Sequence, residues 1–357
     1  MDTPILEQRR MPEPDLTVTA LALGTAPLGG MYAPVGLSVG EATVNKALNI
    51  GIRYFDTAPM YGMGKAEHVL GHALRMVEES TNVDIVVSTK IGRLLVSPRP
   101  GRNRAELPPK NDFDSGWQGA LPFEEVFDYG YDAVMRSFDD SQQRFGSRHI
   151  DILYVHDIGH ATHGARHDHH WTALTAGGGF RALSELRDAG LVKAVGVAVN
   201  EWEAIRASLD YFPLDCCLLA GRYTLLEQTA LSPFLSLCAQ HRLSVVIGGA
   251  FNSGVLVAHE GGHLKYNYDT VPSTVLATVE RIRAVCERFG IPVPAAALQF
   301  PLAHPSVVSL LVGARSPAEV EQALLWLHAP IPGELWEVLK QERLIEDEAP
   351  LPVAVTG

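Results

Sequence analysis

The sequence predicts an α/β fold, a single-domain (β/α)8 TIM barrel with long loops on its C-terminal face. Three observations carry that prediction. Eight short apolar runs of strand type alternate with eight longer amphipathic runs of helix type, and each parallel strand pair needs such a crossover. Eight units close a barrel. The 357 residues are 46% apolar, enough for one large core in a fold that often uses about 250 residues or more per domain. Two long interruptions, 92–128 and 157–179, both follow the ends of strands. That is the face on which barrels carry their site loops. The core is expected over 16–343, with loose ends at 1–15 and 344–357.

The elements follow in order. Segment 16–20 is expected to form a small hairpin across the barrel bottom, ahead of the first strand, 21–24. Helix 39–50 comes next, capped by Ser38 and ended by Gly51. Strand 53–56 leads to helix 65–77, and strand 85–90 leads through the first insertion to helix 131–145, ended by Gly146. Strand 150–156 leads through the second insertion to helix 180–189, ended by Gly190. Strands 194–199, 216–220 and 245–249 are followed by helices 201–209, 233–241 and 274–289, the last ended by Gly290. Strand 308–312 precedes helix 317–327, capped by Ser316, and one more helix spans 332–343. The rival is a doubly wound sheet, which needs a Gly-rich turn after its first strand. Here Pro27 spoils the helix start in Gly24-Thr25-Ala26-Pro27-Leu28-Gly29, and after Gly62-Met63-Gly64 the third glycine's place is taken by Glu67. The barrel is the better reading.

Composition narrows the partners. With 41 acidic and 29 basic residues the net charge is −12, which argues against nucleic acid or an anionic membrane as the main partner. No apolar run approaches the roughly 18 residues of a membrane span, and segment 1–16 has no apolar signal region. A soluble, cytoplasmic protein acting on a small molecule is expected. Cys216, Cys217, Cys238 and Cys286 lack metal or redox spacing and read as buried thiols. The second insertion is rich in histidine: His160, His163, His167, His169 and His170. His156-Asp157-Ile158-Gly159-His160 resembles a zinc helix, but that motif needs both histidines on one helical face with Glu after the first. Gly159 and the strand ending at His156 deny the helix, so no metal is expected. The segment reads as a solvated loop or as polar lining of the substrate site.

Titratable residues at strand tips are unexpected for packing and expected for catalysis. Asp56, Lys90 and His156 end three successive strands, and Tyr61 follows Asp56 by five positions. Its loop is stiffened by Pro59 and released by Gly62. Taken singly, such a lysine is a solvated edge, such a tyrosine packing and such a histidine a satisfied core residue. Four on one rim are far more specific. A phenol titrating near 10 is a poor proton carrier at neutral pH, and a neighbouring ammonium lowers that value. Tyr61 is therefore expected as general acid/base, Lys90 as the partner that lowers its pKa and Asp56 as the anchor of Lys90. His156 is expected to orient the substrate oxygen and assist proton transfer.

At these residues the sequence resembles the aldo-keto reductase superfamily, over roughly 21–327. The stretch Phe55-Asp56-Thr57-Ala58-Pro59-Met60-Tyr61-Gly62 matches its aspartate-to-tyrosine motif, and Ser88-Thr89-Lys90 and Tyr154-Val155-His156 match its lysine and histidine strands. The resemblance implies a catalytic tetrad of Asp56, Tyr61, Lys90 and His156 and hydride transfer with a nicotinamide cofactor. Further segments, among them Phe127-Asp128-Tyr129-Gly130, Val199-Asn200-Glu201-Trp202 and Gly248-Gly249-Ala250-Phe251-Asn252-Ser253-Gly254, are similar to the sugar 1-dehydrogenase branch of L-fucose (D-threo-aldose) type. Aldo-keto pyridoxal 4-dehydrogenases are its close relatives. The implied reaction is oxidation of an aldose at C1 to the lactone, with pyridoxal oxidation to 4-pyridoxolactone as the alternative. A cofactor-sensing barrel without catalysis is the alternative of another class.

The sequence departs from the superfamily at the sixth strand, where Ala220 stands for a glutamine, and after the seventh, where Gly248 or Gly249 replaces a stacking tyrosine. The resemblance implies cofactor contacts at Gly24, Thr25, Asp56, Asn200, Gly249, Phe251, Asn252, Ser253, Gly254, Gly313, Arg315 and Glu319. Asn200 is the candidate for the carboxamide. The cations that clamp a 2′-phosphate are missing at Gly313 and Glu319, and Glu319 suits a bare ribose hydroxyl. NAD is expected as the preferred cofactor, with NADP as the alternative because of Arg315. Trp117 and Trp171 are candidates to stack on a sugar, or are surface aromatics.

Overall fold

In the computed structural model, residues 6–78, 84–98, 116–146, 150–257, 265–267 and 269–353 are described. Eight parallel strands close into a barrel: β1 Leu21–Gly24, β2 Tyr54–Asp56, β3 Val86–Ile91, β4 Ile152–His156, β5 Ala194–Val199, β6 Cys216–Ala220, β7 Ser244–Gly248 and β8 Val307–Gly313. Each strand pairs with its sequence neighbours, and the ring is completed between β8 and β1. Helices run between consecutive strands, as the alternation of the sequence requires.

The two-residue period of a strand decides what faces where. Ala22, Tyr54, Val86, Ile152 and Tyr154 pack together inside the barrel, whereas Leu23, Phe55, Val87, Leu153 and Val155 pack outward under the helices. Asp56, Lys90 and His156 share the inward parity, so the pleat itself aims them into the barrel mouth. Below them the interior is closed by Met11, Leu16 and Val18. These come from the antiparallel hairpin Gln8–Met11 with Leu16–Thr19. The hairpin takes in part of the expected loose end, because Met11 is fully buried. At the other terminus Leu344, Ile345 and Ala349 are buried, so the chain stays packed beyond the last helix, Gly333–Gln341.

Other differences have local causes. A helix over Val293–Leu302 was not expected from the sequence. Its Val293-Pro294-Ala295-Ala296-Ala297-Leu298 start has no amphipathic period because it is buried nearly all round, and Pro294 sits in the first turn, where proline is tolerated. The cap of the first barrel helix, Leu37–Asn49, is Gly36 and not Ser38. The helix expected over 233–241 begins at Ser236, after a stretch that leaves helical geometry at Ser232. Insertion 157–179 is largely helical, with turns at His160–His163 and His167–Leu174. Gly159 is the extended residue that opens the first turn; it does not prevent it. The first insertion opens with an antiparallel pair, Arg93–Val96 with Glu124–Phe127. Its residues 99–115 lie outside the described set.

Candidate active site

Strand register sets the site's floor. Gly24 lies opposite Asp56 and Asp56 opposite Ser88, while Lys90 lies opposite Tyr154 and His156 opposite Ala198. The Asp56 carboxylate accepts from Ser88 Oγ at 2.7 Å and from Lys90 Nζ at 2.7 Å. Lys90 Nζ also donates to the Thr57 carbonyl at 2.7 Å. Lys90 and Asp56 are each 2% exposed, so this is an ion pair in a low-dielectric interior, fixed by hydrogen bonds at both ends.

Tyr61 reaches the same place because its loop lies against bare backbone. A Cβ on Gly29 would stand 2.6 Å from the Tyr61 carbonyl carbon, and one on Gly62, whose φ is +64°, would stand 2.3 Å from the Gly29 oxygen. Only glycine permits that approach. The Tyr61 ring is edge-on to His156, centroids 6.1 Å apart, and tilted against Trp117 at 5.6 Å. Lys90 Nζ lies 4.8 Å from the ring centroid. The four residues singled out from the sequence are thus brought together, with Trp117 beside them.

The electrostatics differ from the expected arrangement in one respect. Burial pushes the Tyr61 phenol well above its ordinary value of 10, the charges of Asp56 and Asp157 push it further, and Arg93 opposes them. The Lys90 ammonium is taken up by Asp56 and Thr57 and faces the ring, and the net push on the phenol is still upward. Tyr61 is held as a proton donor. Burial, then Arg93 and Lys90, push His156 well below 6.5, leaving a neutral imidazole whose Nδ1 has no partner among the described residues.

Arg93 and Asp157 belong to the site although the sequence reading passed over them. Arg93 is 1% exposed, lies over the Phe127 ring at 4.7 Å and pairs with both Glu125 and Asp157. Asp157 Oδ2 is 3.4 Å from His156 Nε2. The available signal was position alone: Arg93 is three residues past Lys90, and Asp157 directly follows His156. Tyr61, Lys90, Arg93, Trp117, His156 and Asp157 line one cavity of about 110 Å3. Met31, Met60, Leu218 and Ala220 supply its apolar walls.

The expected cofactor residues divide. Asn200 borders both this cavity and a neighbouring one of about 470 Å3. From there a strip of small residues, Ala220, Gly248 and Gly249, leads to the left-handed residues Asn252, Ser253 and Gly254; a Cβ on Gly254 would meet nothing within 4 Å. Such a strip of small residues with exposed backbone amides could hold an extended dinucleotide. The Asn252 side chain, however, accepts from Thr224 Oγ1 at 2.7 Å and donates to the Gly221 carbonyl at 3.3 Å, so it braces two loops. Phe251 packs edge-on against Trp326. Thr25 is fully buried and donates twice to the Asp56 carbonyl, supporting the strand tip beside Gly24. Past Gly313, the Glu319 carboxylate accepts from the Arg315 amide at 2.9 Å and pairs with its guanidinium at 3.4 Å. Each therefore partly occupies the other.

Trp171 does not reach the cavity; it stacks on His167 and meets Tyr211 edge-on. Nor is the histidine segment a solvated loop throughout. His163 and His170 are buried against Phe127 and Tyr129, and burial pushes them down to about 3 and about 4. Tyr129 OH donates to the His156 carbonyl at 2.7 Å and meets His163 Nε2 at 2.9 Å. These imidazoles clamp the segment behind the strand that ends at His156. Among the described residues no group of three or more His, Cys, Asp or Glu could hold a metal, and no helix is long and apolar enough to cross a membrane.

Comparison with known proteins fits this geometry. Residues 20–341 match the sequence model of the Aldo/keto reductase family. A pyridoxal 4-dehydrogenase from Microbacterium luteolum is 52% identical over 339 residues, 95% of this chain and 98% of the relative. A D-threo-aldose 1-dehydrogenase from a Pseudomonas species is 36% identical over 333 residues, 92% of this chain and 95% of the relative. Among solved structures, the glycerol dehydrogenase of Gluconobacter oxydans superposes with a TM-score of 0.71 at 22% identity, covering 98% of both chains. That likeness speaks to the barrel alone.

Proposed function

The chain belongs to the Aldo/keto reductase family and is an NAD(P)-dependent dehydrogenase; from that premise we propose that it oxidises a cyclic hemiacetal carbon to a lactone, with NAD preferred. The observation that carries the reading is the Tyr61 hydroxyl-bearing ring set beside His156 in one small cavity, over the buried Lys90–Asp56 pair. Bound NAD supplies the hydride acceptor. In its phenolate form Tyr61 takes the hemiacetal hydroxyl proton as the carbon loses its hydride, and the new carbon–oxygen double bond completes the lactone. The neutral His156 orients that oxygen. The Lys90–Asp56 pair holds Tyr61 and the strand tips in register, and burial keeps bulk water from the reacting atoms.

Two substrate classes present such a carbon: an aldose of L-fucose or D-threo type, and pyridoxal, whose aldehyde closes on its neighbouring hydroxymethyl group. The segments shared with sugar 1-dehydrogenases and the polar Arg93–Asp157 wall favour the aldose. The relative at 52% identity and the flat apolar surfaces of Trp117, Met31 and Met60 favour pyridoxal. The test is NAD reduction with L-fucose, L-galactose, D-arabinose and pyridoxal side by side, with the product identified as a lactone. At least one should give lactone and NADH in equal amounts; lactone from none of the four overturns the reading.

The cofactor preference rests on the Arg315–Glu319 pair. A 2′-phosphate would have to displace or approach the Glu319 carboxylate. The kcat/KM with NAD should exceed that with NADP several-fold, and Glu319→Gln, which frees Arg315, should narrow the ratio. Equal efficiency in the unaltered enzyme would show that Arg315 already serves a phosphate.

A further inference from the structure

A carboxylate beside the reacting oxygen is the opposite of what carbonyl chemistry asks for. Charge develops as alkoxide there during hydride transfer, and donors stabilise it. Tyr61 and His156 face that position, yet Asp157 Oδ2 stands 3.4 Å from His156 Nε2 and lines the same cavity. Its charge also pushes the Tyr61 phenol up. To a substrate bearing only a carbonyl, Asp157 offers nothing.

Asp157 accepts from Arg93 Nη2, but it is not the only acid on that guanidinium. Glu125 reaches Arg93 Nη1 with both carboxylate oxygens, at 3.3 and 3.2 Å, and the Phe127 ring covers the guanidinium. Asp157 is a second acid on a cation that already has one. It is also held in place deliberately: its amide donates to the Ala198 carbonyl at 2.9 Å, and its φ of +49° is a left-handed conformation that few residues other than Gly, Asn and Asp adopt readily. Its side chain is 14% exposed, open enough to be reached from the cavity.

We propose that Asp157 is a specificity-determining residue that accepts a hydrogen bond from a substrate hydroxyl next to the reacting carbon, with Arg93 aiming its carboxylate. Vicinal oxygens lie about a hydrogen-bond length apart, so a substrate whose reacting oxygen meets Tyr61 and His156 brings its neighbouring hydroxyl to Asp157. The substrate class is then a hydroxylated aldehyde or its hemiacetal. The inference deepens the hemiacetal reading but rests on it only for the position of the reacting oxygen.

The test uses two small probes that differ by that one hydroxyl, lactaldehyde and propanal, both reduced with NADH. The unaltered enzyme should favour lactaldehyde in kcat/KM. Asp157→Asn keeps the shape and tolerates the left-handed backbone, and Asp157→Gly removes the carboxylate without backbone strain. In both variants the lactaldehyde-to-propanal ratio should fall about 10- to 100-fold, as for the loss of a hydrogen bond to a charged group. A merely structural role would lower both rates together and leave the ratio intact. An unaltered enzyme without the preference, or variants that keep it, overturn the assignment. Lactone formation in the substrate panel is scored separately, so the hemiacetal reading can fail while this one stands.

Discussion

Tyr61→Phe is expected to lower kcat/KM by about 10²- to 10⁴-fold, the usual worth of a positioned acid or base, while NADH quenches or shifts fluorescence with unchanged affinity. The change removes one oxygen and leaves the ring contacts with Trp117 and His156 in place. Folding and cofactor binding should therefore survive. Turnover retained by the variant would remove Tyr61 from the chemistry and pass the proton to His156.

The same residue sets a direction for pH dependence. Burial, Asp56 and Asp157 keep the phenol protonated through the neutral range. Reduction uses that form directly, whereas oxidation needs the phenolate. Oxidation kcat/KM should therefore rise with pH through the neutral and into the alkaline range, while reduction shows no such rise. His156 is neutral throughout because its pKa lies well below 6.5, and it should add no limb near that value. Identical profiles in the two directions would argue against Tyr61 as the titrating group.

The barrel and the grouping of Asp56, Tyr61, Lys90 and His156 were legible in the sequence for one physical reason. A strand's two-residue period and its apolar content are local properties, so Asp56, Lys90 and His156 stand out as charges where packing asks for none. Arg93, Asp157 and Glu125 did not stand out. Arg93 and Asp157 lie just past barrel-strand ends, where charged residues are ordinary, and only the pairing of Arg93–Val96 with Glu124–Phe127 brings Glu125 to Arg93. Helix Val293–Leu302 was hidden for the converse reason: burial on all sides erases the period by which helices are read. His163 and His170 misled as a polar loop because their burial depends on Phe127 and Tyr129, more than thirty residues away in sequence.

Lys90→Met is expected to cost both stability and activity, and a double variant should separate the two. Removing Lys90 leaves the Asp56 carboxylate at 2% exposure with Ser88 Oγ as its remaining side-chain donor. Breaking one side of a buried pair typically costs about 3–5 kcal/mol, so the thermal midpoint should drop well beyond scatter. Activity should fall as well, since Asp56 already pushes the Tyr61 phenol up and the ammonium that faces the ring is lost, leaving Arg93 to oppose that push. Adding Asp56→Asn removes the stranded charge, and the thermal midpoint should recover much of its loss. Catalysis should not recover, because the ammonium that lies 4.8 Å from the Tyr61 ring centroid is still gone. Recovery of both together would mean that the pair serves the fold alone, and the proton path would then have to run without the Lys90 ammonium, through Tyr61 and His156.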